Sequence, residues 1–187
     1  LIGMVTSTVV NSMTARVATA LLYIALFCRA PEKEGLDYWT GRIQVGLSFE
    51  SGSCANTMLA LPGVQAIYPP SMSNTDFVTQ VYKNVFGRSP DPDGLTYWVG
   101  RLNAGISRGE VVSTMVDIGY NYVGTNPLGV KSQVFIQNRL SVGLAYGAIF
   151  GKTAIDGTGQ ASVLFPITYG GDYTQVATAT ADRRFLV

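Results

Sequence analysis

The sequence contains no histidine. That removes the commonest general base, metal ligand and pH switch near neutrality. Its two cysteines, Cys28 and Cys54, are too few for a thiolate-only zinc site, and without histidine the mixed zinc sites are closed too. Lysine occurs four times in 187 residues, and the net charge is +1. No basic patch stands out, so the electrostatic footprint of a nucleic-acid binder is missing and no nucleic-acid partner is expected. Charged residues of both signs make up 13%, against about 25% in an ordinary soluble domain. Long apolar runs are lacking as well. The most apolar stretch, residues 17–27, is bounded by Arg16 and Arg29 and falls short of the roughly 20 residues a spanning helix needs. No membrane span is expected.

Apolar residues are abundant nonetheless, at 47%, and mean hydropathy is +0.23. A chain with so little charge and no membrane span is expected to cover part of its surface with protein. It starts without Met and without a Lys/Arg-led leader, which reads as a processed product. The even cysteine pair in a Ser/Thr/Gly-rich chain leads to the expectation of a Cys28–Cys54 disulfide in an oxidising compartment.

No constellation for catalysis stands out. A hydroxyl nucleophile without histidine needs a lysine or a terminal amine as its base, and Lys152 beside Thr153 is the nearest approach. The same "GKT" is not a phosphate loop, because Tyr146 stands where that loop needs glycine and a helix is expected before it. No catalytic residue is assigned, no enzyme is expected, and no cofactor is implied.

What the chain does have is a duplication. "FCRAPEKEGLDYWTGRIQVG", residues 27–46, returns as "FGRSPDPDGLTYWVGRLNAG", residues 86–105, at a constant offset of 59. Arg29, Pro31, Gly35, Tyr38 and Trp39 pair with Arg88, Pro90, Gly94, Tyr97 and Trp98. A catalytic site is normally needed once, whereas a packing unit is readily reused. In the second copy, Phe77, Val78, Val81, Tyr82, Val85 and Phe86 make one helical stripe, and Gly87 stands where a helix-ending glycine belongs. Asp91 followed by Pro92 is a helix start, and "SRGE" at 107–110 is a capping box for a third helix. The first copy has Cys28 for Gly87, Glu32 for Asp91 and no capping glutamate after Ser48, so the second copy is expected to be the more regular.

The expected fold is mainly α: two tandem small three-helix repeats, a longer helix over 131–150, and an irregular or short β C-terminal arm. The corresponding units are 1–67, 76–123 and 131–187. "YPPSMSNT", residues 68–75, reads as a linker.

Several motif residues admit a functional reading and a plainer one. Asp91 and Asp93 are spaced like the start of a calcium loop, but no further ligands follow, so a helix cap is expected and calcium is kept only as a metal candidate. Arg29 and Arg88 are expected to tie their turns to nearby acids or carbonyls. The Tyr38–Trp39 and Tyr97–Trp98 pairs suggest a sugar-stacking platform, yet each Trp falls on the buried stripe with Leu36 or Leu95, so core packing is expected.

The pattern F-G-R-x-P-D-x-x-G-L-x-Y-W over residues 86–98, continuing to Glu110, resembles a bacterial family, domain of unknown function 4214. Residues 27–48 resemble it more loosely, and 135–151 is similar to the helix that often follows the domain. The resemblance implies a small helical domain, similar to the linker domain of cyanobacterial light-harvesting antennae, in secreted bacterial proteins of the surface-layer and adhesin-like kinds. It supplies no catalytic residues. The expected role is therefore a non-catalytic extracellular structural protein that assembles with itself into a filament, surface layer or matrix. The apolar arms, with Leu1, Ile2 and Val5 at one end and Phe165, Tyr169, Phe185 and Leu186 at the other, are the expected contacts with neighbouring copies. The alternative is a cell-surface adhesin or glycan-binding module with a surface glycan as partner.

Overall fold

The structure, a computed structural model, describes residues 13–149. The two expected arms, and with them Leu1, Ile2, Val5, Phe165, Tyr169, Phe185 and Leu186, lie outside the described residues, as does any β structure in 150–187. The described residues form eight helices: α1 Ala15–Phe27, α2 Lys33–Gln44, α3 Ser53–Leu59, α4 Pro62–Gln65, α5 Asn74–Phe86, α6 Pro92–Asn103, α7 Arg108–Tyr120 and α8 Pro127–Ile149. The fold is mainly α, and there is no strand among the described residues. No described helix is long and apolar enough to cross a membrane.

The bounds of α1 and α5 differ by 59 at both ends, as do those of α2 and α6. The starts are set by local caps. Thr14 Oγ1 accepts from Val17 N at 3.3 Å, Ser73 Oγ from Asp76 N at 3.0 Å, and Ser107 Oγ from Glu110 N at 3.1 Å, each satisfying an amide that the first turn leaves without a partner. The ends of α1 and α5 are left-handed residues, Cys28 at φ 53° and Gly87 at φ 71°. The first copy thus keeps the helix-ending conformation even where it has lost the glycine.

The third elements differ. Ser48 Oγ accepts from Ser51 N at 3.1 Å, the same cap as at Ser107. The turn does not propagate, because Gly52 is left-handed at φ 74°. The helix restarts at Ser53, ends at Leu59, and Pro62 opens the one-turn α4. The expected three-helix unit is therefore replaced in the first half by α1, α2 and two short helices. The reason is tertiary. Gly52 lies against the backbone of Gly109 and Glu110, so close that a side-chain carbon on either Gly52 or Gly109 would overlap the other segment. Asn56 of α3 completes the joint: its Nδ2 donates to Ser107 Oγ at 2.9 Å and its Oδ1 accepts from Gly109 N at 2.9 Å. One half of the chain thus helps cap a helix of the other.

Helix α1 is the centre of the molecule. All of residues 18–26 are buried, because α2, α5, α7 and α8 all pack around it. Its one polar core residue, Thr19, returns its hydroxyl to Ala15 O at 2.8 Å. Helix α8 begins at Pro127, four residues before the expected 131, since Asn126 Oδ1 accepts from Leu128 N at 2.9 Å and the proline is pre-set for a first turn. It crosses both halves, with Gly143 over Pro31 and Ile24, Gly147 over Leu36 and Pro31, and Phe135 over Gly87. One continuous buried cluster results, running from Ala18 to Tyr146.

Two expectations are corrected here. The stretch 68–75 is not a free linker at its start: Tyr68 is fully buried and donates to Ala25 O at 2.7 Å. The Cys28–Cys54 disulfide is absent, and both thiols are free. Cys28, on its left-handed residue, lies near the Arg139 guanidinium of α8. Cys54 lies buried near the start of α3, with Arg42 as its charged neighbour. Burial pushes the Cys54 thiol up to about 11.

Candidate functional site

The duplicated motif builds the same small structure twice, at each junction between a first and a second helix. In the second half, Asp91 is the N-cap of α6: Oδ1 accepts from Gly94 N at 2.8 Å and Oδ2 pairs with Arg88 Nη1 at 3.3 Å. Arg88 also donates to Ser89 O at 3.2 Å and, through Nε, to Ser132 Oγ of α8 at 3.3 Å. Its guanidinium lies 5.4 Å from the centre of the Tyr82 ring, a cation–π distance. The Tyr82 hydroxyl covers Gly94, where a side-chain carbon would overlap it. The Gly94 amide, helped by Arg88, holds the Asp91 carboxyl below its usual range. Burial and the Asp91 charge push the Tyr82 phenol up.

In the first half, Glu32 is one methylene longer than Asp91 and makes no side-chain cap. Its Oε2 pairs with Arg29 Nη1 at 3.2 Å and its Oε1 accepts from the Tyr23 hydroxyl at 3.2 Å. Arg29 lies over the rings of Tyr23 and Phe27, at 5.7 and 5.0 Å. Gly35 sits under the Tyr23 hydroxyl as Gly94 sits under Tyr82. Burial first, then the Glu32 charge, raise the Tyr23 phenol well above the ordinary range. Both motif carboxylates are thus engaged by a guanidinium and an N–H or O–H donor.

Beside each motif is a cleft. Tyr23, Phe27, Arg29 and Trp39 line the first; their equivalents Tyr82, Phe86, Arg88 and Trp98 line the second. The clefts are unequal. The second is about 150 Å³, closed by Ile118 and Tyr122 near the end of α7 and by Gly129 and Ser132 of α8. The first is about 510 Å³, rimmed by Glu32, Glu34 and Tyr38, with Leu61 at one edge. It is wider because no residue of α8 lines it, whereas Gly129 and Ser132 of α8 line the second.

The motif residues are therefore brought together as expected, with Arg29 and Arg88 tied to the acids of their own turns. Trp39 and Trp98 are 7% and 6% exposed, on the core side of their helices. Tyr38 and Tyr97 are 58% and 56% exposed and meet those Trp rings edge-on at 5.2 and 5.0 Å. Pro31 is buried under α8. For calcium, both Asp91 oxygens are already engaged, Asp93 is exposed, and no group of three or more Asp, Glu, Cys or His side chains gathers among the described residues.

Residues that sequence reasoning passed over complete the site. Asn84 donates to Ala25 O at 3.0 Å and to the Tyr68 hydroxyl at 2.8 Å. Arg139 stacks 4.4 Å from the Phe135 ring centre, and desolvation lowers its pKa. The signal for Asn84 was its place among the apolar residues of α5; nothing local marks Arg139.

Residues 55–118 match the family model described as "Domain of unknown function (DUF4214)". The match starts in α3 and ends in α7, so it takes in the Asn56 contacts with Ser107 and Gly109 and the buried Tyr68, and leaves Gly52 outside. No curated protein and no solved structure matches the chain.

Proposed function

From a chain that carries a DUF4214 domain over its central third, we infer a non-catalytic structural protein of the bacterial exterior whose copies assemble into a filament, surface layer or matrix. The first half is a second, diverged copy of the same module, in tandem with the first. The observation that carries this reading is the apolar surface where α7 hands over to α8. Ile118, Val123, Leu128 and Val130 are all exposed there, Val123 at 96%, in a chain with 13% charged residues. A surface of this kind favours contact with protein over water. Its occupant is a second copy of the chain.

The motif supports the same reading. Its arginines and acids are spent on one another and on helix starts, so they act as fasteners between helices. The glycan alternative needs exposed indole faces, and the buried Trp39 and Trp98 do not present them.

Sedimentation velocity over a range of concentrations, with negative-stain microscopy of the concentrated sample, tests the assembly. Growth of larger species with concentration, reduced by Val123→Lys with Leu128→Lys, is the expected result. A monodisperse single copy at the highest concentration overturns it.

A further inference from the structure

We propose that the corner between α7 and α8 of one copy seats in the first cleft of the next, so that copies join head to tail. This rests on the assembly reading above and adds which two surfaces meet. The corner runs from Ile118 to Lys131, and its own contacts fix its shape. Gln133 Nε2 donates to the carbonyl oxygens of Tyr120 at 3.0 Å and Tyr122 at 2.8 Å. The Tyr122 hydroxyl accepts from Asn126 N at 3.2 Å. Its ring lies over Gly124 and Gly129, so closely that a side-chain carbon at either would overlap it. Val123, Leu128 and Val130 are held out in water on this pinned turn. A shape set in advance has little freedom left to lose on binding.

The duplication says where such a corner fits. Within the chain, its inner side already closes the second cleft, where Ile118, Tyr122 and Gly129 stand over Tyr82 and Trp98. The first cleft has Tyr23 and Trp39 at the same positions, but its lining comes only from α1, α2, the turn between them and Leu61. After α3 the chain passes into α4 and α5, and nothing equivalent to the corner lines this cleft among the described residues. Its volume of about 510 Å³ has room for the Val123 and Leu128 side chains, since an apolar cavity of about 150 Å³ already holds a benzene ring.

Charge is matched as well. Lys131 is the one charged residue from 118 to 131; it is exposed and has no ion pair among the described residues. In the cleft, Arg29 and Glu32 are paired with each other. That leaves Glu34, exposed at the start of α2, as the unbalanced charge of the rim. Lys131 set against Glu34 satisfies both. Corner against corner would instead bring two Lys131 side chains together, a like-charge juxtaposition, and leave the cleft unfilled. The corner and the first cleft share no residue, so each copy offers one while using the other. Such a contact repeats from copy to copy and makes an open chain unless the rotation happens to close a ring.

The test uses two variants of the full chain. One blocks the cleft rim with Glu34→Lys and Tyr38→Lys; the other blocks the corner with Val123→Lys and Leu128→Lys. All four side chains are exposed, and circular dichroism checks that both variants stay helical. Sedimentation velocity is run at a concentration where the unmodified chain forms larger species. Each variant alone is expected to remain single, and their equimolar mixture to form pairs and nothing longer, because one intact corner and one intact cleft remain. A cleft-blocked chain that assembles like the unmodified one, or a mixture that stays single, overturns the proposal and leaves the assembly reading standing. An unmodified chain that stays single at the highest concentration overturns both. A milder charge swap guards against misfolding. Glu34→Lys alone is expected to raise the concentration at which larger species appear about threefold to tenfold, the scale of an exposed ion pair turned into like charges. Adding Lys131→Glu to the same chain should restore it. A merely structural role of Glu34 would not be rescued by a change at Lys131, so absence of rescue also overturns the proposal.

Discussion

The side-chain amide of Asn84 donates to the carbonyl oxygen of Ala25 at 3.0 Å, and these are the same position in the two halves of the duplication, 59 residues apart. Equivalent helices also pack on each other, α1 against α5 and α3 against α7. Like faces like between the halves, so these faces are used within one chain. The assembly proposed above would have to use other surfaces. Asn84→Ala strips a donor from a buried carbonyl and from the Tyr68 hydroxyl. It is expected to cost about 2 kcal/mol, read as a lower urea midpoint with an unchanged slope.

Gly87→Ala and Cys28→Gly are matched substitutions at equivalent helix ends. A side-chain carbon at Gly87 would stand 2.8 Å from the Phe135 ring on a backbone at φ 71°, so Gly87→Ala is expected to destabilise by roughly 1–3 kcal/mol. Cys28→Gly relieves a left-handed residue while losing a partly buried thiol, and the net change should stay within about 1 kcal/mol. Chemical denaturation of the two variants side by side checks the asymmetry.

Gly94→Ala pushes a methyl group into the Tyr82 hydroxyl. The substitution should destabilise, and Tyr82→Phe should recover part of the loss by removing the oxygen. A double-mutant cycle is expected to show coupling of about 0.5–3 kcal/mol. Additive losses would mean that the hydroxyl is not what excludes the side chain.

The thiols should behave as two unlike free groups. Cys28 is partly exposed, while Cys54 is buried with its thiol pushed up to about 11. A thiol reagent at neutral pH is expected to label Cys28 in the native protein and Cys54 only after unfolding, because the thiolate is the reacting form. Unfolded, unreduced protein showing no free thiol would restore the disulfide.

Asp91 contributes a pH dependence whose sign follows from its lowered pKa. A carboxyl held down in the folded state adds stability above its unfolded value, and that stability is lost as pH falls through the folded value. Asp91→Asn keeps a good capping side chain but removes the charge and the pairing with Arg88. Thermal unfolding from about pH 7 down to about pH 3, a span that brackets the ordinary Asp value, should fall less steeply for the variant. The side chain is partly exposed, so the difference is expected to be modest.

Much of the local structure was legible beforehand, and the reason is visible residue by residue. Asp91, Ser107 and Gly87 act through hydrogen bonds or backbone angles within a few positions, so their roles can be read from neighbouring letters. Trp39 and Trp98 followed from helical spacing. The misses share a different cause. Tyr68 stands before two prolines and looks like loop, yet it is buried because Ala25 and Asn84 offer its hydroxyl partners. Gly52 stops a helix that Ser48 begins, because Gly109 needs the space. The clefts became unequal because α8 lines the second and not the first.

Alone, the letters determined the duplication, the helical class and most helix starts and stops, since a cap or a left-handed residue acts over a single turn. Only the tertiary structure decided that the halves face each other, that the thiols part company and that one cleft stays wide. Those outcomes depend on which surfaces bury each other across dozens of residues, and helical periodicity says which side of a helix is apolar without saying what will cover it.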